Sequence, residues 1–254
     1  MLQSLLIVMR EGFEGFLIVA IILAYLRKTG RPQLVPAVRW GIGAAILASL
    51  GLGYMLVQGV QQALWEAVLG AITVVLVATL VIQMWRMAPR LKKEMEAKLE
   101  EVSTRETRWT AFAGVFAFTV LMISREGMET ALMLYQIRGG FLTGGILGLL
   151  GAAALAYLWG RLGHRVNLRR FFQVTSIYLL LFLGQVAVYT FHEFAEAGLL
   201  PNSDQLHEAT EIFSPYGLYG KWFSYGIVLL CASWLAITWV LDSRKAATVR
   251  VRSE

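Results

Sequence analysis

The sequence predicts an all-helical, polytopic membrane protein: seven transmembrane helices, six of them forming an inverted three-plus-three repeat, with one C-terminal helix appended. Three observations predict it. The composition is too apolar for a soluble fold, apolar runs of about 20 residues recur along the chain, and basic residues collect in alternate connections. Of the 254 residues, 57% are apolar and 16% charged, and the mean hydropathy is +0.60. A soluble domain runs nearer ~45–50% apolar and ~25% charged, so its polar groups could not cover this much hydrocarbon. That excludes a soluble enzyme and a disordered chain. A disulfide scaffold is excluded because Cys231 has no second cysteine to pair with.

The first span, Leu2–Leu26, is interrupted by Arg10, Glu11 and Glu14 and lacks a basic leader, so it reads as a retained helix rather than a signal peptide. The second, Pro36–Val57, has a small residue at every fourth position: Ala37, Gly41, Ala45, Ser49 and Gly53. The third covers Ala63–Trp85. The connector Arg86–Arg108 alternates signs (Lys92, Lys93, Glu94, Glu96, Lys98, Glu100, Glu101), as expected of a solvated helix at the membrane surface, and no chemistry is assigned to it. Trp109–Ile137 is the fourth span. Leu142–Gly160 is the fifth, with its own small-residue stripe through Gly140, Gly144, Gly148, Ala152, Ala156 and Gly160. The sixth is Phe171–Phe194, a polar outer loop follows over about 195–220, and Lys221–Leu241 is the last helix. The whole forms one permease-like domain, with repeat one over about 1–85 and repeat two over about 109–197.

A net charge of +6 would suit a nucleic-acid binder, but the placement of the charges argues against one. Nineteen of the 23 Lys and Arg residues fall in the connections after spans one, three, five and seven or, for Arg39, at the adjoining start of span two. The opposite connections hold only Arg138 and Lys221, and Arg10 and Arg125 lie inside spans. The positive-inside bias places the C-terminus in the cytoplasm and the N-terminus outside, in a multi-pass protein of the cytoplasmic (inner) membrane.

Span one carries Arg10-Glu11-Gly12-Phe13-Glu14 and span four carries Arg125-Glu126-Gly127-Met128-Glu129. The pattern R-E-G-x-E therefore occurs twice, in helices expected to run in opposite directions, and the small-residue stripes sit in the second helix of each half. In each copy the arginine and both glutamates fall within about 100° of one helix face. A charge at the bilayer centre costs roughly 2.5–3.5 kcal/mol on insertion scales. Six such groups must therefore face one another, water or a cation. Four carboxylates against two guanidinium groups leave a surplus of negative charge, which a purely structural cluster would not retain. Hard oxygen ligands favour a hard metal ion passing through. A proton relay and a membrane scaffold with a structural charge cluster remain as alternatives. Gln3 and Gln136 lie seven residues outward of Arg10 and Glu129, and suggest a polar outer approach. Methionines near the motifs (Met9, Met122, Met128, Met133) read as packing, and Trp40, Trp65, Trp85, Trp109 and Trp222 as an interfacial belt.

The doubled R-E-G-x-E in a chain of this topology resembles the oxidase-dependent iron permease family, which includes the fungal ferric permeases and the bacterial EfeU-type permeases and is grouped with iron/lead transporters. The resemblance spans essentially the whole chain. It implies high-affinity uptake of iron, in the ferric state, across the cytoplasmic membrane, with Glu11, Glu14, Glu126 and Glu129 binding the ion in transit and Arg10 and Arg125 as supporting charges. Iron would be the transported substrate, with no permanently bound cofactor. The resemblance further implies separate extracytoplasmic partners, an iron-delivery protein and an oxidase or peroxidase. It implies no nucleic acid and leaves homo-oligomerisation open. Lead, manganese or proton-coupled transport are the alternative cargoes.

Beyond span six the chain is rich in acids and histidines: His192, Glu193, Glu196, Asp204, His207, Glu208 and Glu211. His192-Glu193-Phe194-Ala195-Glu196 lacks the second histidine of a zinc-protease helix. With few basic neighbours, this segment would concentrate cations at an outer entrance, or be an ordinary solvated loop.

Overall fold

A computed structural model of the chain describes residues 1–58, 63–87, 91–104, 108–137, 141–162, 168–201, 203–213, 219–231, 233–234 and 237. Among these every regular element is a helix: α1 (Leu2–Lys28), α2 (Val35–Gln58) after the short 3-10 turn Pro32–Leu34, α3 (Ala63–Met87), α4 (Leu91–Ser103), α5 (Arg108–Tyr135), α6 (Phe141–Leu162), α7 (Leu168–Glu196) and α8 (Ser203–Glu211). Residues 219–231 are also helical and are called α9. The remainder of the expected last span, to Leu241, lies mostly outside the described residues.

Four stretches are long and apolar enough to cross a membrane: Pro32–Met55, Trp109–Tyr135, Phe141–Arg161 and Phe171–Glu196. Within α3 a shorter apolar stretch runs over Trp65–Thr79. α1, at 27 residues, matches the others in length, and what separates it is the polar step at Arg10, Glu11 and Glu14. Gly30 and Gly198 close α1 and α7 with φ of 69° and 71°. At each, the amide of the next residue returns to a carbonyl of the last turn, Arg31 to Leu26 at 2.8 Å and Leu199 to Phe194 at 3.2 Å.

α1 packs mainly on α6, α2 on α5 and α3 on α7, and α1 also meets α5. The small-residue stripes make these approaches close. A side chain at Gly41 of α2 would strike Thr119 of α5, and one at Gly144 of α6 would strike Ser4 of α1. Hydroxyls inside the spans are satisfied locally, as where Thr119 donates to the Val115 carbonyl at 2.8 Å and Thr175 to Phe171 at 2.9 Å. Large apolar side chains on the outer surface, such as Leu47, Leu50, Leu142 and Leu150, are exposed as lipid-facing positions would be.

The charged connector contains α4, and α4 is only half solvated. Met95, Leu99 and Ser103 lie four residues apart and are buried, while Glu94, Lys98, Glu100 and Glu101 are exposed. Met95 and Leu99 join Ile18, Ile22, Leu26, Val38 and Val115 in one apolar cluster beneath the ends of α1, α2 and α5. Arg31 fastens this edge by donating from Nη1 to Ser103 Oγ at 2.6 Å.

Candidate metal centre

Each copy of the motif sits on an uninterrupted helix, so its arginine and glutamates project from one face. The motif glycines let that face reach its neighbour. Gly12 lies against Ala152 of α6, where an added Cβ would come within 3.1 Å, and Gly127 lies against Ser49 of α2, with no room for a side chain.

This packing brings three of the four motif glutamates together. One carboxylate oxygen from each of Glu11, Glu126 and Glu129 lies within 4.8 Å of the others. Metal–oxygen bonds of about 2.1 Å would place ligand oxygens on opposite sides of an ion about 4.2 Å apart, so small side-chain adjustments would close the trio around one cation. All three residues are buried. Glu14 stands outside the trio and pairs with Arg10 Nη2 at 3.5 Å. Arg10 is buried and also holds Glu11 Oε1 through Nη1. Arg125 donates from Nε to Glu129 Oε1 at 2.9 Å. Two acceptors remain. Glu11 Oε2 is buried with no hydrogen-bond partner among the described residues, and no arginine among them forms an ion pair with Glu126. An unmatched buried carboxylate oxygen is costly unless something positive meets it. Three convergent carboxylates with spare lone pairs can coordinate a hard cation.

Apolar clusters flank the centre along the helix axes. On one side, a turn from the motifs, lie Ile7 and Met133, packed in a cluster with Tyr178 and Phe182. On the other lies the cluster that α4 completes. Beyond the Ile7–Met133 layer is a cavity of about 290 Å³, lined in part by Gln3, Gln136, Gln185, Tyr189, Lys221 and Ser224. Gln3 is near the start of α1 and Gln136 just past the end of α5, so the two motif helices run antiparallel. Seven residues of helix put the cavity about 10 Å from the carboxylates. Gln185 is not among the residues that the sequence pattern predicts for the site. The signal was present, an amide inside the apolar run from Leu179 to Val188.

The acidic segment after the sixth span divides. His192 and Glu193, still on α7, are buried; His192 Nδ1 meets Thr210 Oγ1 of α8 at 2.8 Å. Tyr189, one turn before, donates to Glu66 of α3 at 2.9 Å. Glu196, Glu208 and Glu211 are exposed. The Asp204 and His207 side chains lie outside the described residues. Among the described residues the one cluster of acids, histidines and cysteines close enough to hold a metal is the glutamate trio.

Long apolar helices around a buried carboxylate centre define a membrane transport protein rather than a soluble catalyst. Residues 1–225 match the Iron permease FTR1 family, and the chain belongs to it; it is a permease and not an enzyme. It is 30% identical to the Ferrous iron permease EfeU of Yersinia pestis, over 87% of this chain and 82% of that one. The protein of the same name from Yersinia pseudotuberculosis is also 30% identical, over 85% and 79%. The one from Escherichia coli O157:H7 is 29% identical over 87% and 83%. No solved structure matches the chain.

Proposed function

We propose that this chain takes up iron across the cytoplasmic membrane and that the ion crosses through the Glu11, Glu126 and Glu129 centre. One observation carries the reading: three carboxylates from two helices converge in an apolar interior, with Glu11 Oε2 lacking a protein partner among the described residues. Family membership and the iron permeases among the relatives support iron as the cargo. The chain would cross the membrane seven times with its N-terminus outside. Ions would arrive at the side of Gln3 and Gln136, assisted by the exposed acids Glu196, Glu208 and Glu211, and leave towards α4. Delivery would fall to a separate extracytoplasmic iron-binding protein with an oxidase or peroxidase.

The two halves would be inverted repeats, and the packing supports this. Exchanging α1 with α5, α2 with α6 and α3 with α7 leaves the set of main helix contacts unchanged. Individual contacts follow. Gly12 on Ala152 corresponds to Gly127 on Ser49, and Gly41 against Thr119 corresponds to Gly144 against Ser4. Ser4 and Thr119 each stand six residues before their motif arginine.

An all-oxygen donor set suits the harder ferric ion. Ferrous iron is favoured instead by the name of the relatives. The test is radioactive iron uptake into proteoliposomes, with and without a reductant. Glu11→Gln and Glu126→Gln should each lower uptake by tenfold or more, because even groups behind a metal ligand typically cost about 10–100-fold when removed. Glu14→Gln should cost less. Normal uptake by folded, inserted Glu126→Gln protein would remove the site, and inhibition of uptake by reductant would identify the ferric ion as cargo.

A further inference from the structure

At the outer end of the proposed iron path is a cavity of about 290 Å³, room for about ten waters at ~30 Å³ each. It is a built site. Gln3 Nε2 donates to Gln185 Oε1 at 3.0 Å, and Gln185 Nε2 donates to Ser224 Oγ at 2.7 Å and to the Gly220 carbonyl at 3.3 Å. That network ties α1, α7 and α9 together and fixes the wall. Gln136, only 6% exposed, also lines the cavity, and its Nε2 has no partner among the described residues. Lys221 adds a positive charge to the rim, and Arg138 follows in the chain two residues after Gln136. These are the two basic residues that the sequence assigns to the outer connections. Among the described lining residues there is no carboxylate, and the nearby Tyr189 hydroxyl is engaged with Glu66.

Whatever ions the outer acids gather, a bare cation inside the cavity would meet an ammonium group and, among the described lining residues, no acid, the reverse of what a cation site needs. An oxygen-rich anion would find a charged donor at the rim and, buried in the wall beside it, an unsatisfied amide donor. We propose that the cavity docks a small carboxylate anion, so that iron approaches the permease wrapped in such ligands and is passed to the glutamates, which replace them. This deepens the iron-permease reading and rests on it. The layer of Ile7 and Met133 between cavity and centre fits the division of labour: the ligand stays outside and the ion goes on.

Citrate is the probe. Iron-free citrate should bind the full-length protein in nanodiscs of neutral lipid, read by calorimetry, and Lys221→Glu and Gln136→Leu should each weaken binding at least tenfold. Lys221 is exposed, so its replacement leaves the fold intact. In proteoliposomes Lys221→Glu should raise KM for iron presented as its citrate complex, with kcat kept, and should not raise KM for reduced iron supplied without chelator. Absence of citrate binding to the wild type would overturn the proposal, as would an equal rise in KM for both forms of iron. Loss of citrate binding in nanodiscs containing phosphatidylglycerol would assign the cavity to a lipid headgroup and overturn it too. Glu126→Gln should bind citrate normally while failing to transport. If it transports, the glutamate centre falls and the citrate result still stands.

Discussion

Arg10 is 4% exposed and holds Glu11 and Glu14, whereas the Arg125 side chain is 46% exposed and, among the described residues, pairs with Glu129 only. The two copies of the motif are thus alike in sequence and unlike in surroundings. Leu121 and Met128, on the Arg125 face of α5, are exposed at 68% and 40%, so that face turns outward as a lipid-facing one would, away from the helix contacts that enclose Arg10. Removing a partner from a buried pair strands the remaining charge at about 3–5 kcal/mol; loss of Arg10 strands two carboxylates, loss of Arg125 only that of Glu129, which is itself buried. Arg10→Ala should therefore lower the melting temperature or the yield of inserted protein more than Arg125→Ala, which strands one carboxylate rather than two and removes a charge from a lipid-facing position. Equal losses in a thermal-shift measurement in detergent would contradict the difference in burial. The spacing R-E-G-x-E shows directly that the three charges share a helix face. It does not show that Glu14 stays with its own arginine while Glu11 crosses to α5. That depends on how each helix is rotated about its axis, which is set by contacts such as Gly127 on Ser49 and Gly12 on Ala152, between residues far apart in the chain.

Glycine has two meanings in these helices. Gly127, Gly144 and Gly148 have side chains or backbone of another helix where a Cβ would go, while Gly43, Gly51 and Gly145 have nothing within 4 Å. In the first group substitution must push two helices apart, against tightly packed interiors. In the second the helix gains from losing a flexible residue, by up to about 1 kcal/mol. Gly127→Ala and Gly144→Ala should thus destabilise the protein and Gly43→Ala and Gly145→Ala should be neutral or stabilising, as judged by thermal unfolding. A matched effect at all four would mean that the stripes do not form the helix contacts. The stripes were visible in the sequence as small residues every fourth position, because that spacing keeps them on one face. Other elements were less visible. The alternating charges of α4 hide the pair Met95 and Leu99, whose burial needs the ends of α1 and α5 beneath them. The polar segment read as a loop contains α8, only nine residues long. A helix that short is marginal alone and is supported here by His192 meeting Thr210.

At the scale of the molecule, helix positions and orientation come from different physics. Apolar length located the helices: the spans read from the sequence and the observed α1, α2, α3, α5, α6 and α7 agree to within a few residues at either end. Length is indifferent to direction, and the pairing α1 on α6, α2 on α5 and α3 on α7 is equally compatible with either membrane orientation. Direction rests on the basic residues, at a cost per translocated charge that packing does not share. The antiparallel course of α1 and α5 then links the ends. If the Gln3 and Gln136 side faces out, so does α8, and α4 with its exposed Lys98 and Glu100 lies within. In a Cys231→Ser background, Glu208→Cys should react with a membrane-impermeant maleimide in intact spheroplasts, and Lys98→Cys should react only after lysis. Both positions are exposed, so a failure to label would not come from burial. The reverse pattern would turn the protein over and place the Gln-lined cavity on the cytoplasmic side of the glutamate centre. Labelling of both positions from one side would contradict the proposed inverted repeat, since α4 and α8 could then not lie at opposite ends of the helices that carry the carboxylates.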